Sequence, residues 1–169
     1  MQGRSLRWPL LGAALIAGLD QVIKAVVLVT EPQVTVIPGF FDIRMATNTG
    51  AAFSLFQGFP RLVTIVGILV LAGLMAYLWQ RVGTAARSER AALALVIGGA
   101  VGNLIDRLRF GYVIDFLDVY AGQYHWPTFN LADSAVSIGA MSLLIVALRT
   151  PRSPSHASTP PDTVELRDP

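Results

Sequence analysis

Four stretches of the chain stay apolar for nearly the length that a membrane-crossing helix requires, which is about 20 residues. They cover residues 10–29, 62–79, 91–108 and 131–148. The second carries no charge, whereas the first is interrupted by Asp20 and Lys24, the third ends in Asp106-Arg107, and the fourth has Asp133 near its start. The first run continues past Asp20 with no small-residue cleavage site, so it reads as a span rather than a removable leader. Between the first two runs the pattern changes. "QVTVI" and "FFDIRMA" alternate apolar and polar positions as half-buried strands do, and Pro38-Gly39 between them signals a turn. The pattern predicts an all-α membrane protein of four spanning helices, with a small extracytoplasmic β element (residues 30–60) between the first and second. Residues 1–150 form one domain on this reading. Residues 151–169, rich in proline and serine, read as a disordered cytoplasmic tail.

Composition agrees with a membrane setting. Of 169 residues, 53% are hydrophobic and 14% charged, and the mean hydropathy is +0.56. So few charges could not cover a solvated surface. The arginines set an orientation. Arg4, Arg7, Arg81, Arg87, Arg90, Arg149 and Arg152 lie on one side of the spans, and Arg44, Arg61, Arg107 and Arg109 on the other. The positive-inside rule then places both termini in the cytoplasm. The net charge of +2 comes from scattered residues without a basic stripe, so no nucleic-acid partner is expected. The absence of cysteine excludes thiol catalysis and a disulfide framework.

In that topology the polar residues gather at the outer ends of the spans. Asn103, Asp106 and Arg107 end the third, Asn130 and Asp133 open the fourth, and Asn48, Asp115 and Asp118 lie in outer connections. Asp20 and Lys24 are four apart in the first span and can pair with each other. Arg107 reads as an ion-pair partner of Asp106 or another carboxylate, Asp118 as a solvated loop charge, and the three asparagines as donors to buried carboxylates or backbone. Gly98 and Gly102 form a small-xxx-small pair suited to close helix contact.

The chemistry on offer is narrow. His125 and His156 fall on opposite sides of the membrane, so no metal site and no cofactor is expected. No GxSxG serine occurs, and a serine–lysine dyad would have to use Lys24, the single lysine, with a residue such as Ser54. Two aspartates held close can share one proton, so that one activates water while the other hydrogen-bonds a carbonyl. Asp115 and Asp133 have no basic residue within one helical turn. From the residues alone they could equally cap helices or pair with Arg107 and Arg109.

Five motifs in order go further. "DQVIK" (20–24), "NTGAAFS" (48–54), "GGAVGNLIDRL" (98–108), "VIDF" (113–116) and "FNLADS" (129–134) together closely resemble the bacterial lipoprotein signal peptidases, or signal peptidase II. The resemblance implies a four-helix inner-membrane aspartic endopeptidase. Such an enzyme removes the signal peptide from diacylglyceryl-modified prolipoproteins, cutting just before the lipidated cysteine. It implies that Asp115 and Asp133 are the catalytic pair, and that Asp20, Lys24, Asn48, Asn103, Arg107 and Asn130 support the site or bind substrate. Partners are then the lipid bilayer and the prolipoprotein, with the protein itself a monomer. Thr47 stands where the family pattern often has an aromatic. The alternative is a non-enzymatic transporter or scaffold with an outer polar cluster. A transporter predicts polar groups across the full membrane depth and internal repeats, neither of which the sequence has.

Overall fold

The computed structural model describes residues 6–50, 56, 58–81 and 83–149. Helix α1 (Arg7–Thr30) leads to strands β1 (Gln33–Ile37) and β2 (Phe41–Asn48), then helices α2 (Pro60–Arg81) and α3 (Arg87–Phe110). Strands β3 (Val113–Ala121) and β4 (Tyr124–His125) precede helix α4 (Leu131–Arg149). All four helices are long and apolar enough to cross a membrane. The expected tail and Ser54 lie outside the described residues.

Local chemistry sets the boundaries. Helix α1 stops at Glu31, which turns left-handed (φ 40°) and returns its N–H to Val27 O at 2.9 Å, and Pro32 then blocks another helical turn. Helix α3 stops at Gly111, whose φ of +80° is the αL position that glycine takes without strain. The expected hairpin turns at Pro38-Gly39, with Gly39 at φ +80° and Phe40 N donating to Ile37 O at 3.0 Å.

The β element is larger than the hairpin alone. Its four antiparallel strands run in the order β1-β2-β3-β4, so half of the sheet comes from the connection between the third and fourth helices. That connection was expected as a loop. A bulge interrupts the β2–β3 register between Ile43 and Ala46, and Ala46 pairs with Asp115.

Helix α3 is the central element, and α1, α2 and α4 all pack on it. Glycines make the approach close. A Cβ on Gly98 would stand 2.7 Å from Ala13 O of α1, and one on Gly139 would stand 2.8 Å from Ala92 O. One on Gly99 would strike Ala132 O of α4. The Gly98/Gly102 pair therefore serves tight packing as expected, and Gly99 does the same toward a second helix. Such contacts suit a bilayer, where helices gain little from burying apolar surface against one another and depend on close van der Waals fit. The lipid-facing sides stay apolar and exposed, as at Val22, Val26, Ile65, Leu69 and Ile138.

Candidate active site

The site lies where α1, α3, β3 and the start of α4 meet. Its deepest part is a charged cluster. The Lys24 ammonium sits 2.8 Å from Asp20 Oδ2 and 2.7 Å from Asp106 Oδ2, and donates to Asn103 Oδ1 at 3.0 Å. Lys24 is 1% exposed, and Asp20 and Asp106 are both 0% exposed. The three N–H donors of the ammonium are thus all engaged. Gln21 adds a donor to Asp106 Oδ1 at 2.8 Å. The expected Asp20–Lys24 pair is present.

Each of the two carboxylates also accepts a backbone N–H. Asp106 Oδ2 accepts from the backbone N–H of Ile114 at 3.1 Å, and Asp20 Oδ1 accepts from that of Ala132 at 3.0 Å. Ile114 immediately precedes Asp115 and Ala132 immediately precedes Asp133. One buried ion cluster therefore grips the chain just before each of the two aspartates that the sequence singled out.

Those two aspartates share Asn130. Its Nδ2 donates to Asp115 Oδ1 at 2.7 Å, and its backbone N–H donates to Asp133 Oδ2 at 3.2 Å. In return, Asn130 Oδ1 accepts the Asp133 N–H at 2.8 Å. This reciprocal pair is a capping box at the head of α4, so the helix-cap reading of Asp133 holds alongside any chemistry. Asn103 joins the ring. It donates from Nδ2 to Asp133 Oδ1 at 2.7 Å, and its Oδ1 accepts from Asn130 Nδ2 at 3.0 Å. Asn103 and Asn130 are thus amide donors to carboxylates, as expected.

Asp115 is 1% exposed, and its Oδ2 has no hydrogen-bond partner among the described residues. Burial, and next the charge of Asp133, push its pKa from 3.8 up to about 7, against the pull of the Asn48 and Asn130 amides and the Lys24 charge. Asp115 thus stands close enough to Asp133 to feel its charge.

A cavity of about 350 Å³ opens next to the pair. Asp133, Asn48, Asn103 and Arg107 supply much of its polar wall, and Val113, Trp126, Phe129, Val136 and Ile138 much of its apolar wall. Asn48 Oδ1 accepts from Gly50 N at 2.9 Å, and Arg107 Nη2 donates to Gly50 O at 2.9 Å, so the two hold the chain that leaves β2.

Two sequence expectations need correction. Arg107 makes no ion pair with Asp106 among the described residues, because neighbours on a helix point apart; Asp106 turns to Lys24 instead. Asp118 is not a solvated loop charge. It is 0% exposed and lies 2.7 Å from Arg44 Nε and 2.9 Å from His125 Nδ1. Sequence reasoning also missed Gln21 and offered Arg107, not Lys24, as a partner of Asp106. The i, i+1 spacing of Asp106 and Arg107 was the available signal. Among the described residues no three of His, Asp and Glu stand as a metal ion would need.

Comparison with known proteins bears on this arrangement. Residues 12–149 match the family model described as signal peptidase (SPase) II. A lipoprotein signal peptidase of Desulforapulum autotrophicum is 45% identical over 146 residues, covering 82% of this chain and 90% of that protein. One from Azoarcus sp. (strain BH72) is 46% identical over 153 residues, covering 85% and 84%. A solved bacterial membrane enzyme structure superposes with a TM-score of 0.74 at 31% identity, covering 85% of this chain and 88% of that one. With the match spanning all four helices and the sheet between them, the chain belongs to the signal peptidase II family.

Proposed function

We propose that the protein is an aspartic endopeptidase of the bacterial inner membrane. It removes the signal peptide from diacylglyceryl-modified prolipoproteins and cuts just before the lipidated cysteine. The observation that carries the mechanism is the shared amide. Asn130 touches both Asp115 and Asp133, which holds the two carboxyl groups together, with Asp133 on the wall of the cavity.

The chemistry follows from the asymmetry of the pair. Asp115, buried and raised to about 7, holds the shared proton and donates it to the scissile carbonyl oxygen. Asp133 lines the cavity and accepts a hydrogen bond on each oxygen, so it can take a proton from an attacking water. The water oxygen bonds to the carbonyl carbon. When the tetrahedral intermediate collapses, a hydroxyl proton returns to Asp115, the C–N bond breaks, and the proton gained by Asp133 passes to the leaving nitrogen. Titration belongs to the pair rather than to either residue. Arg107, beside the cavity, offers positive charge to the developing oxyanion. Asp20, Lys24, Asn48, Asn103 and Asn130 hold these groups in place.

Substrate geometry supports the reading. Four lipid-length helices leave acyl chains in the bilayer, while the cavity sits at the ends of α3 and α4 beside the sheet. Burial of acyl chains contributes at about 25 cal/mol per Å². The site then faces the extracytoplasmic side, both termini are cytoplasmic, and one copy suffices. The serine–lysine alternative fares poorly, because the Lys24 donors are committed to Asp20, Asp106 and Asn103.

The test is cleavage of a lipidated precursor by Asp115→Asn and Asp133→Asn. Each retains side-chain shape but cannot exchange the proton, and each should lose at least about four orders of magnitude in kcat while still inserting into membrane. Retained cleavage by either variant would falsify the pair.

A further inference from the structure

The mechanism leaves the buried carboxylate of Asp118 unused. Asp118 on β3 is 0% exposed, on the far side of the strand from Asp115. Arg44 Nε reaches its Oδ2 at 2.7 Å, and His125 Nδ1 lies 3.0 Å and 2.9 Å from its two oxygens. A carboxylate only accepts, so Nδ1 carries the hydrogen. The imidazole stacks on Tyr120 at 4.8 Å, and Tyr120 OH donates to Asp42 Oδ1 at 3.1 Å. Arg44 sits inside the β2 bulge, which redirects the backbone there and brings the guanidinium to Asp118.

The position of this network matters. Strand β4 pairs with β3 through Tyr120↔His125 and Ala121↔Tyr124, and the Trp126 N–H adds one bond to Val119 O at 2.8 Å, still a short ladder that gains from side-chain support. The residues that follow at once, Trp126, Pro127 and Thr128, form one wall of the cavity. Beyond them Phe129 is fixed independently, through its N–H to Leu117 O (3.1 Å) and its carbonyl to the N–H groups of Phe116 (3.0 Å) and Leu117 (2.8 Å).

We propose that Asp118, His125 and Arg44 form a clamp that positions the Trp126–Thr128 wall and so sets affinity for the substrate segment lying against it. His125 is a positioning residue in this role and does not touch the reacting atoms. The proposal rests on the peptidase reading above. Releasing the clamp loosens the near end of the wall, although the Trp126 N–H stays on Val119 O. It leaves Asp115 and Asp133 in place, since Asp106, Asp20 and Asn130 hold them from other directions. The effect belongs in KM rather than kcat.

The experiment measures kcat and KM on a lipidated precursor peptide for His125→Ala, His125→Asn, Trp126→Ala and the double variant His125→Ala/Trp126→Ala. His125→Ala should raise KM at least about three-fold with kcat unchanged. His125→Asn, whose amide puts an N–H donor near the position of Nδ1, should restore most of the loss. Trp126→Ala should raise KM as well, and the double variant should add little to it, because both changes disable one wall. A fall in kcat at unchanged KM, fully additive effects, or no rescue by asparagine would overturn the clamp. Failure of the peptidase reading is seen separately, as cleavage that persists in Asp115→Asn.

Discussion

Removing the positive charge from the buried cluster is the sharpest test of how the site is held. Lys24→Met keeps the length of the side chain and its apolar stem but leaves Asp20 and Asp106 facing each other without a cation. Both carboxylates are 0% exposed, so water cannot take over the role of the ammonium. Breaking a buried ion pair by deleting one partner costs about 3–5 kcal/mol, because the remaining charge stays desolvated. For a chain of this size that is a fall of roughly 10 °C in the unfolding midpoint. The damage should also reach function. Asp106 and Asp20 hold the N–H groups of Ile114 and Ala132, one residue ahead of Asp115 and Asp133. If either carboxylate takes up a proton or swings away, the pair loses its spacing, and a displacement of about 1 Å can cost about a hundred-fold in rate. The assay is thermal unfolding in detergent together with cleavage of the lipidated precursor. A companion triple variant, Asp20→Asn/Lys24→Met/Asp106→Asn, removes every charge at once and should recover much of the stability, since no unpaired ion remains. A midpoint loss below about 3 °C for Lys24→Met, or a triple variant no more stable than the single one, would refute the reasoning.

Two further predictions concern pH and packing. Because the folded Asp115 titrates at about 7 and its ordinary value is 3.8, the folded state retains a proton that the unfolded state has released across that interval. Stability should therefore fall as pH rises from about 4 to about 7, the slope should shrink in Asp115→Asn, and kcat/KM should drop about ten-fold per pH unit above the upper limit; activity still climbing at pH 9 would contradict the shared proton. In Gly99→Ala the new methyl meets Ala132 O and lies 2.8 Å from Val136 Cγ2, which pushes α4 off α3 at the residue before Asp133. That variant should lose about 1–3 kcal/mol and most of its activity, whereas Gly67→Ala on α2, with nothing within 4 Å, should match the parent in both assays.

What the sequence made legible was local. Apolar runs gave the four helices, Pro38-Gly39 gave the hairpin, and the i, i+4 spacing gave the Asp20–Lys24 contact. What it hid was contact between segments far apart in the chain. "VIDFLDVYA" was expected as a loop although it forms β3, because both its faces are buried and its aspartates fall on opposite ones, so no simple apolar–polar alternation survives. Asp118 looked solvated because both its partners, Arg44 and His125, lie outside its own turn of chain. Gly99 escaped notice for a related reason. A spacing of four selects Gly98 and Gly102 on one face of α3, whereas Gly99 is turned about 100° away toward a different neighbour.

The same distinction explains why the two aspartates could be singled out while the backbone contacts that hold them could not. Asp115 and Asp133 stand out by lacking a basic residue within one turn, and a missing cation is visible in a linear string. The groups that fix them are backbone N–H donors at Ile114 and Ala132, which every residue except proline possesses and which no motif advertises. Ala132 can be read as a small residue that lets α3 approach, with a carbonyl against Gly99 and a Cβ 3.3 Å from where one on Gly102 would stand. Its N–H meanwhile reaches Asp20 across the same gap. Glycine on α3, alanine on α4 and aspartate on α1 thus answer one geometric demand. The helices must come close enough for a carboxylate on one to hold the backbone of another, and that closeness fixes where Asp133 stands.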